Sequence, residues 1–132
     1  MWFIKIGFVA ILFSTVFSGP SNADSLTFYM LNKTGTSVGV EFYGEGTNRA
    51  WPGDNKMFTI YFGDDIVWED GLPVEKPIVF RLNCNTGEKI CMGAWDIELG
   101  SGDDWGVGRG GKKGCTGCCA ICGGEPARKT LD

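Results

Sequence analysis

The feature that most constrains this chain is the placement of its cysteines, which all lie in the C-terminal half of the sequence, whereas its N-terminal segment is apolar. They are Cys84, Cys91, Cys115, Cys118, Cys119 and Cys122. An even number of cysteines in a short chain with an export-type leader is typical of a disulfide framework. We therefore expect all six to be disulfide-bonded and the fold to depend on them.

The N-terminal segment has the features of an export signal. Lys5 precedes an apolar run over residues 6–17, which matches the hydrophobic part of a signal peptide and is too short to span a bilayer. Small residues stand just before a cleavage point after Ala23. We predict that residues 1–23 are a signal peptide, that the mature protein is periplasmic or secreted, and that it has no integral membrane segment.

Removal of that leader leaves 109 residues, with 11 Lys and Arg against 16 Asp and Glu. This length suits one domain. We place a disulfide-stabilised β-domain at residues 24–124 and a flexible tail at residues 125–132. The acidic balance disfavours nucleic acid or an anionic membrane as partner, because both are bound by clustered basic residues. The two basic clusters, Arg109 to Lys113 and Arg128-Lys129, lie among glycines or in the tail.

Apolar and polar side chains alternate with a period of two along much of the chain. The alternating runs are Leu26 to Met30, Val38 to Phe42, Phe58 to Phe62 and Ile78 to Leu82. Glycine-rich or acidic turns separate these runs, and no stretch keeps a helical period over three turns. We therefore predict an all-β fold, a small antiparallel β-sandwich or barrel of about six to eight short strands, followed by a disulfide-stapled glycine-rich C-terminal segment.

The first two cysteines lie in the segment from Phe80 to Trp95. Gly87 and Glu88 would form a two-residue loop with glycine first, which is the signature of a type II′ hairpin turn. In that register Cys84 lies directly opposite Cys91, at a Cα separation of about 4.5 to 5.5 Å that a disulfide tolerates. We therefore predict a Cys84–Cys91 bridge. The alternative is that one of these two cysteines reaches the C-terminal cluster.

The last four cysteines form a Cys-x-x-Cys-Cys-x-x-Cys run. Structural disulfides are the favoured interpretation, as local bridges (Cys115–Cys118 and Cys119–Cys122) or as interlocked ones (Cys115–Cys119 and Cys118–Cys122). Four thiolates could instead hold zinc, but an oxidising compartment would oxidise them first. A redox role needs a thiolate at a helix N-terminus. Glycines and Pro126 immediately follow the cysteine run, so the sequence does not predict a helix there. We predict oxidised cysteines, no metal and no cofactor.

Seven glycines occupy residues 100–114, immediately before that run. Gly106, Gly108 and Gly111 match the G-x-G-x-x-G pattern of dinucleotide-binding loops. Such a loop must join a strand to a helix, and no helical pattern follows here. We therefore interpret the segment as irregular, apart from a short strand at Trp105 to Val107.

The chain contains no histidine, which excludes Ser-His-Asp and Cys-His catalysis and imidazole-ligated metals. Paired carboxylates remain as candidates for a glycosidase-type acid and base, or for calcium ligands. These are Asp64, Asp65, Glu69, Asp70, Asp103 and Asp104. All of them sit in turns beside glycine, where local hydrogen bonding favours aspartate, so a structural role is the favoured interpretation.

Several short motifs together give the chain a family resemblance. They are Trp51-Pro52-Gly53, Gly87 to Cys91 followed by Gly93-Ala94, Trp105 to Gly108, and the cysteine run of residues 115–122. In these motifs the chain resembles a group of short exported proteins of bacteria, especially alphaproteobacteria, over about residues 38–124. The hairpin order from Phe28 to Phe42 also resembles thaumatin-type sandwiches. The first resemblance implies a periplasmic or secreted protein and transfers no activity to any residue.

Together these features favour binding over catalysis. We predict an exported, disulfide-stabilised β-domain that binds a macromolecule or a component of the cell envelope through its turns. The alternatives are a small carboxylate-based hydrolase that uses the acidic pairs and a module that binds metal through the last four cysteines. Two carboxylates from different turns that face each other across a cleft would favour the hydrolase.

Overall fold

The computed structural model describes residues 23–132, so the predicted signal peptide lies outside the described residues except for Ala23. The described chain is built of strands and one short 3₁₀ turn, with no α-helix, which confirms the all-β prediction. Nor does this part of the chain contain any helix with the length and apolar character needed to cross a membrane.

Eleven short strands make up the described residues, more than the predicted number because several have only two to four residues. They are β1 (Ala23–Asn32), β2 (Val38–Gly44), β3 (Ala50–Trp51), β4 (Phe58–Ile60), β5 (Ile66–Glu69), β6 (Leu72–Glu75), β7 (Ile78–Asn85), β8 (Lys89–Asp96), β9 (Asp104–Gly106), β10 (Cys119–Ile121) and β11 (Ala127–Leu131). The four runs with period-two alternation all contain a strand, as predicted. The strand predicted at Trp105 to Val107 is β9, displaced by one residue.

The strands form two main sheets and a separate hairpin. In the first sheet, β1 lies between β7, to which it is antiparallel, and β11, to which it is parallel. In the second sheet, β2 and β8 pair along their length; β3 and β4 add to the free edge of β2, and β9 and β10 to that of β8. Strands β5 and β6 pair only with each other. The molecule is thus a small β-sandwich with an appended hairpin.

The core lies between the two sheets, where the period-two strands place their apolar side chains. Phe28 of β1 contacts Phe42 of β2, with ring centroids 4.7 Å apart, and Phe42 contacts Phe80 of β7 at 5.3 Å. Phe28 and Phe42 are fully buried, and Phe80 is nearly so. Burying each such ring contributes about 1.5–3 kcal/mol, so these three rings are strong stabilising contacts between the two sheets.

The turn between β7 and β8 does not make a hairpin. Glu88 N donates to Asn85 O at 2.9 Å, and Gly87, with φ of 85°, is the third residue of the turn rather than the second. Positive φ at that position is characteristic of a type II turn, whose twist splays the flanking strands. The chain accordingly passes from the first sheet to the second. The predicted Cys84–Cys91 bridge is wrong because the two cysteines lie in different sheets.

All six cysteines are oxidised, as predicted, but two of the bridges run from β7 and β8 to the C-terminal cluster. Cys84 bonds to Cys122 and Cys91 bonds to Cys119, while Cys115 and Cys118 form a local bridge. The alternative, in which Cys84 or Cys91 reaches the C-terminal cluster, is therefore confirmed, and both cysteines do so. The interlocked pairing within the cluster and the local Cys119–Cys122 bridge are wrong. The C-terminal segment ties the two sheets together through separate bonds.

The C-terminal residues form the edge strand β11, which corrects the predicted flexible tail at residues 125–132. The strand pairs in parallel with β1, from Phe28 opposite Ala127 to Asn32 opposite Leu131. Leu131 is fully buried in the core. The Cys84–Cys122 bond holds the chain beside the first sheet just before this strand begins, so a short segment is sufficient to complete the sheet.

Candidate functional site

The candidate site lies on the outer face of the second sheet. Gly39, Glu41 and Tyr43 alternate along β2 with core residues, so they point to this face. An outer face would ordinarily be solvated, yet every residue of β2 is buried. Trp95 and Met57 cover Gly39, and Gly111 of the glycine-rich segment lies against the Tyr43 ring. The glycine-rich segment thus forms a third layer over part of the sheet.

The glycine-rich segment lies flat on β8 because its backbone approaches that strand closely. Val107 N donates to Met92 O at 2.9 Å. A Cβ atom on Gly93 would lie 2.7 Å from Gly108 O, which is closer than any side chain tolerates. Beyond Gly108 the segment makes a single 3₁₀ turn, Arg109–Gly111, and no helix follows it. The G-x-G-x-x-G pattern therefore does not open a dinucleotide-binding helix.

Three turns surround a cleft of about 960 Å³ on this face. They comprise residues 44–49, residues 54–56 and residues 109–115. Glu41 and Tyr43 line the cleft together with Cys91 and Cys119, whose disulfide joins β8 to β10. The cleft thus has a floor of sheet residues and walls made of loops, an arrangement in which a rigid scaffold positions variable segments.

A buried phenol and carboxylate are paired on the floor of this cleft. The Tyr43 hydroxyl donates to Glu41 Oε2 at 3.0 Å, and the two residues are only 7% and 8% exposed. Burial raises the pKa of Tyr43 to about 12; the hydrogen bond and charge of Glu41 add to this rise, and the Gly110 backbone and Arg109 oppose it. At neutral pH Tyr43 is therefore a neutral hydrogen-bonding group and not a base.

Basic side chains are concentrated around the cleft. Six of the eleven Lys and Arg residues among residues 23–132 line it, against three of the sixteen acidic residues. The basic residues are Arg49, Lys56, Lys89, Arg109, Lys112 and Lys113, and the acidic ones are Glu41, Glu45 and Asp54. A chain with an acidic balance therefore folds into a domain with a basic cleft.

The cations of the cleft differ in how they are held. Arg49 and Lys89 pair with the carboxylates of Glu88 and Glu45, at 2.7 and 2.8 Å. Lys113 pairs with Asp104. The Arg109 guanidinium lies over the Trp95 ring, 4.5 Å from its centroid, a cation–π contact that orients the charge without neutralising it. Within the described residues, Lys56 and Lys112 have no acidic partner.

The acidic pairs singled out in the sequence lie outside the cleft and support turns. The Asp65 carboxylate is buried and accepts a hydrogen bond from Asn32 N at 2.9 Å, and that of Asp64 accepts one from Tyr61 N at 2.8 Å. Glu69 ends β5, and Asp70 follows it in the turn to β6 with φ of 50°. Asp103 precedes β9, and Asp104 begins it. None of these six carboxylates lines the cleft.

The last four cysteines do not form a metal site. Each is bonded to another cysteine, so none offers a thiolate. In the described part of the chain, the one close group of three potential ligands is Glu45 with Cys91 and Cys119. Because those two sulfurs are bonded to each other, a single carboxylate remains, which is too few ligands for zinc.

A second, chemically different surface lies on the β5–β6 hairpin and the turn before it. Asp70 and Gly71 both have positive φ, as in the type I′ turns that join hairpin strands. The hairpin region exposes large apolar side chains, with Trp68 71% exposed and Leu72 66% exposed. The others are Tyr61, Phe62, Ile66 and Val74. None of these residues lines the cleft.

The fold and the cleft define a disulfide-stapled β-sandwich with a basic, loop-walled cleft. Comparisons of this chain with protein-family models, with curated proteins and with solved structures found no match. The resemblances to short exported bacterial proteins and to thaumatin-type sandwiches therefore remain predictions. The interpretation of the cleft depends on its own geometry.

The sequence identified only one part of this site. It identified the basic cluster of Arg109 to Lys113 but showed it only as a local cluster among glycines, without the other basic residues of the cleft. Arg49, Lys56 and Lys89 come from separate turns and strand ends, with no shared motif. The alternation in β2 does place Glu41 and Tyr43 on one face of the sheet. This pattern was the sequence feature from which the floor of the cleft could have been identified.

Proposed function

We propose that this protein is an exported binding module whose ligand, a macromolecule or a component of the cell envelope, occupies the cleft on the second sheet. Export is supported by the leader-like sequence and by three disulfides, which persist in oxidising compartments. The described residues contain no helix that could cross a membrane.

The observation that carries the proposal is the convergence of three turns on one cleft. Residues of three separate turns, such as Asn48, Asn55 and Lys112, line the same cavity. Loops on a rigid scaffold are the usual position of recognition residues. The prediction that binding takes place through the turns is in keeping with this geometry.

The disulfides give the cleft the rigidity that specific binding requires. Cys119 is bonded to Cys91 on the floor, and the Cys115–Cys118 bridge closes the end of the segment that forms one wall. A pre-organised site loses less conformational freedom on binding, so more of the contact energy is available as affinity.

The carboxylates of the cleft support binding rather than hydrolysis. Glu41 is buried and engaged by Tyr43, and Glu45 is paired with Lys89. The acidic pairs proposed as acid and base lie elsewhere, in turns. Asp54, the third carboxylate of the lining, has no partner within the described residues, but a glycosidase requires two free carboxylates that face each other across the cleft.

A blocked cleft tests the proposal. Asn48 lies in an exposed turn on the cleft wall, so Asn48→Trp should fill the cavity without disturbing the core. Thr130→Trp, on the exposed side of β11, is the matched control. Saturable binding of labelled protein to envelope fractions of the source cell should fall at least about tenfold for Asn48→Trp and not for Thr130→Trp. Equal binding by both variants, or no saturable binding by the wild type, would refute the proposal.

A further inference from the structure

We propose that the cleft ligand is an anion that presents clustered phosphate groups. The inference depends on the proposed function, because it takes the cleft to be the ligand site, and it adds the chemical class of the ligand. The acidic chain places more than half of its described basic residues around this one cavity. A concave site with an excess of positive charge raises the local concentration of anionic ligands.

Three of the cations are available to a ligand without breaking an ion pair. Lys56 and Lys112 are exposed and have no acidic partner within the described residues. Arg109 is held over Trp95 by its guanidinium face, which leaves the N–H edge free to donate. These groups come from two different walls of the cleft, so a ligand with several negative groups can engage both walls at once.

The backbone of the glycine-rich wall favours phosphate among anions. Gly110 and Gly111 have left-handed φ values of 70° and 67°, and Lys112 follows with the right-handed values φ −87° and ψ −16°. Alternation of right- and left-handed residues directs successive N–H groups to one side and creates the concavities that bind phosphate. Gly111 lies against the Tyr43 ring, and residues 109–111 all line the cleft, so this turn borders the cleft floor.

Clustered phosphates could come from a soluble phosphate compound or from lipid headgroups. Tripolyphosphate is the soluble probe, and vesicles of phosphatidylglycerol, with phosphatidylcholine vesicles as the zwitterionic control, are the lipid probe. The protein should bind tripolyphosphate at about 0.01 M salt and release it at about 1 M salt. The reason is that the Debye length is roughly 30 Å at the lower concentration and roughly 3 Å at the higher one. Competition of tripolyphosphate with the vesicles would show that both probes use one site.

Matched charge variants locate the binding. Lys56→Gln with Lys112→Gln should weaken tripolyphosphate binding about five- to tenfold, since two partly exposed charge contacts are lost. Lys56→Arg with Lys112→Arg should retain it. Lys76→Gln with Lys129→Gln makes the same change in net charge outside the cleft and should have little effect. All of these side chains are at least partly exposed and outside the core, so the variants are expected to fold.

The outcomes separate this inference from the proposed function. Equal weakening by the cleft pair and the control pair, or no binding of either phosphate probe at low salt, would overturn the phosphate proposal. If Asn48→Trp abolishes envelope binding while Lys56→Gln with Lys112→Gln leaves it unchanged, the cleft is the ligand site and its ligand is not a phosphate. Vesicle binding that tripolyphosphate reduces, without binding of phosphatidylcholine vesicles, would support phosphate recognition from either source.

Discussion

Tyr43 shows how a residue on the outer face of a sheet becomes part of a protein's interior. Its position in β2 directs its side chain away from the core. The glycine-rich segment nevertheless covers the ring, and the hydroxyl donates a hydrogen bond to Glu41. The burial raises the pKa of Tyr43 to about 12. Its ionisation therefore reports whether the third layer of the fold is in place.

The raised pKa predicts a specific loss of stability in alkali. The folded protein holds the Tyr43 proton to a higher pH than the unfolded chain does, so its contribution is fully present below about pH 10 and is lost as pH rises towards about 12. Denaturation measured across this range should show the decline in wild type, and Tyr43→Phe should reduce it. An absorbance titration in which Tyr43→Phe keeps the highest-pH phenolate step would contradict the assignment.

Gly93 is the residue on which the third layer depends for its close approach. In Gly93→Ala the new methyl group would meet Gly108 O, and the segment would have to move. We expect a loss of about 1–3 kcal/mol in the free energy of unfolding, as for other overpacked sites. Gly114→Ala is the control, because nothing lies within 4 Å of its Cβ position. Denaturant titration with equal stability for the two variants would contradict this view of the segment.

At the scale of elements, strands were more predictable than the connections between them. The alternation of Leu26, Phe28 and Met30 follows from burial on one face, and the structure places all three in the core. The turn at Gly87 could not be assigned in the same way. A shift of one residue changes a hairpin turn into one that leads to the other sheet, and the packing of both sheets decides between them.

The edge strand β11 was missed for a related reason. The segment Ala127–Leu131 has only Ala127 and Leu131 as apolar residues, which is too weak a pattern to indicate a strand. Its pairing with β1 depends on the Cys84–Cys122 bond, and the sequence alone left that pairing open. Long-range covalent constraints therefore limited what local pattern could predict.

The disulfides should differ in their contribution to stability. Cys84–Cys122 joins residues 38 apart, whereas Cys115–Cys118 joins residues 3 apart. In the chain-entropy description, the first restricts the unfolded chain by about 4 kcal/mol and the second by about 2 kcal/mol. Replacing both cysteines of each bridge by serine and measuring thermal or denaturant unfolding should reproduce that order. A larger loss from removal of the Cys115–Cys118 bridge would contradict it.

At the scale of the whole molecule, the charge of the site differs from that of the chain. The acidic balance of the sequence disfavoured anionic partners, since a sum over the chain cannot show where charges gather. Folding brings Arg49, Lys89 and Lys112 to one cavity and leaves the carboxylates of the acidic pairs outside its lining. The basic cleft is therefore a property of the fold, beyond what the sequence pattern could predict.

The molecule has two exposed surfaces of different chemistry, one polar and one apolar. The cleft is basic and walled by loops, whereas the β5–β6 hairpin exposes Trp68 and Leu72 next to acidic residues such as Glu69. Both surfaces are exposed, so a test of function must distinguish binding at the cleft from binding at the hairpin. The two surfaces share no residue, which makes that distinction measurable.

Mapping the bound ligand by backbone amide chemical shifts tests the central claim most directly. The isotope-labelled, oxidised protein would be titrated with the envelope fraction that it binds saturably. We predict that the largest shifts fall on Tyr43, Asn48, Arg49 and residues 109–113, which surround the cleft. Shifts confined to the hairpin residues Ile66 to Glu75, with the cleft amides unchanged, would contradict the account.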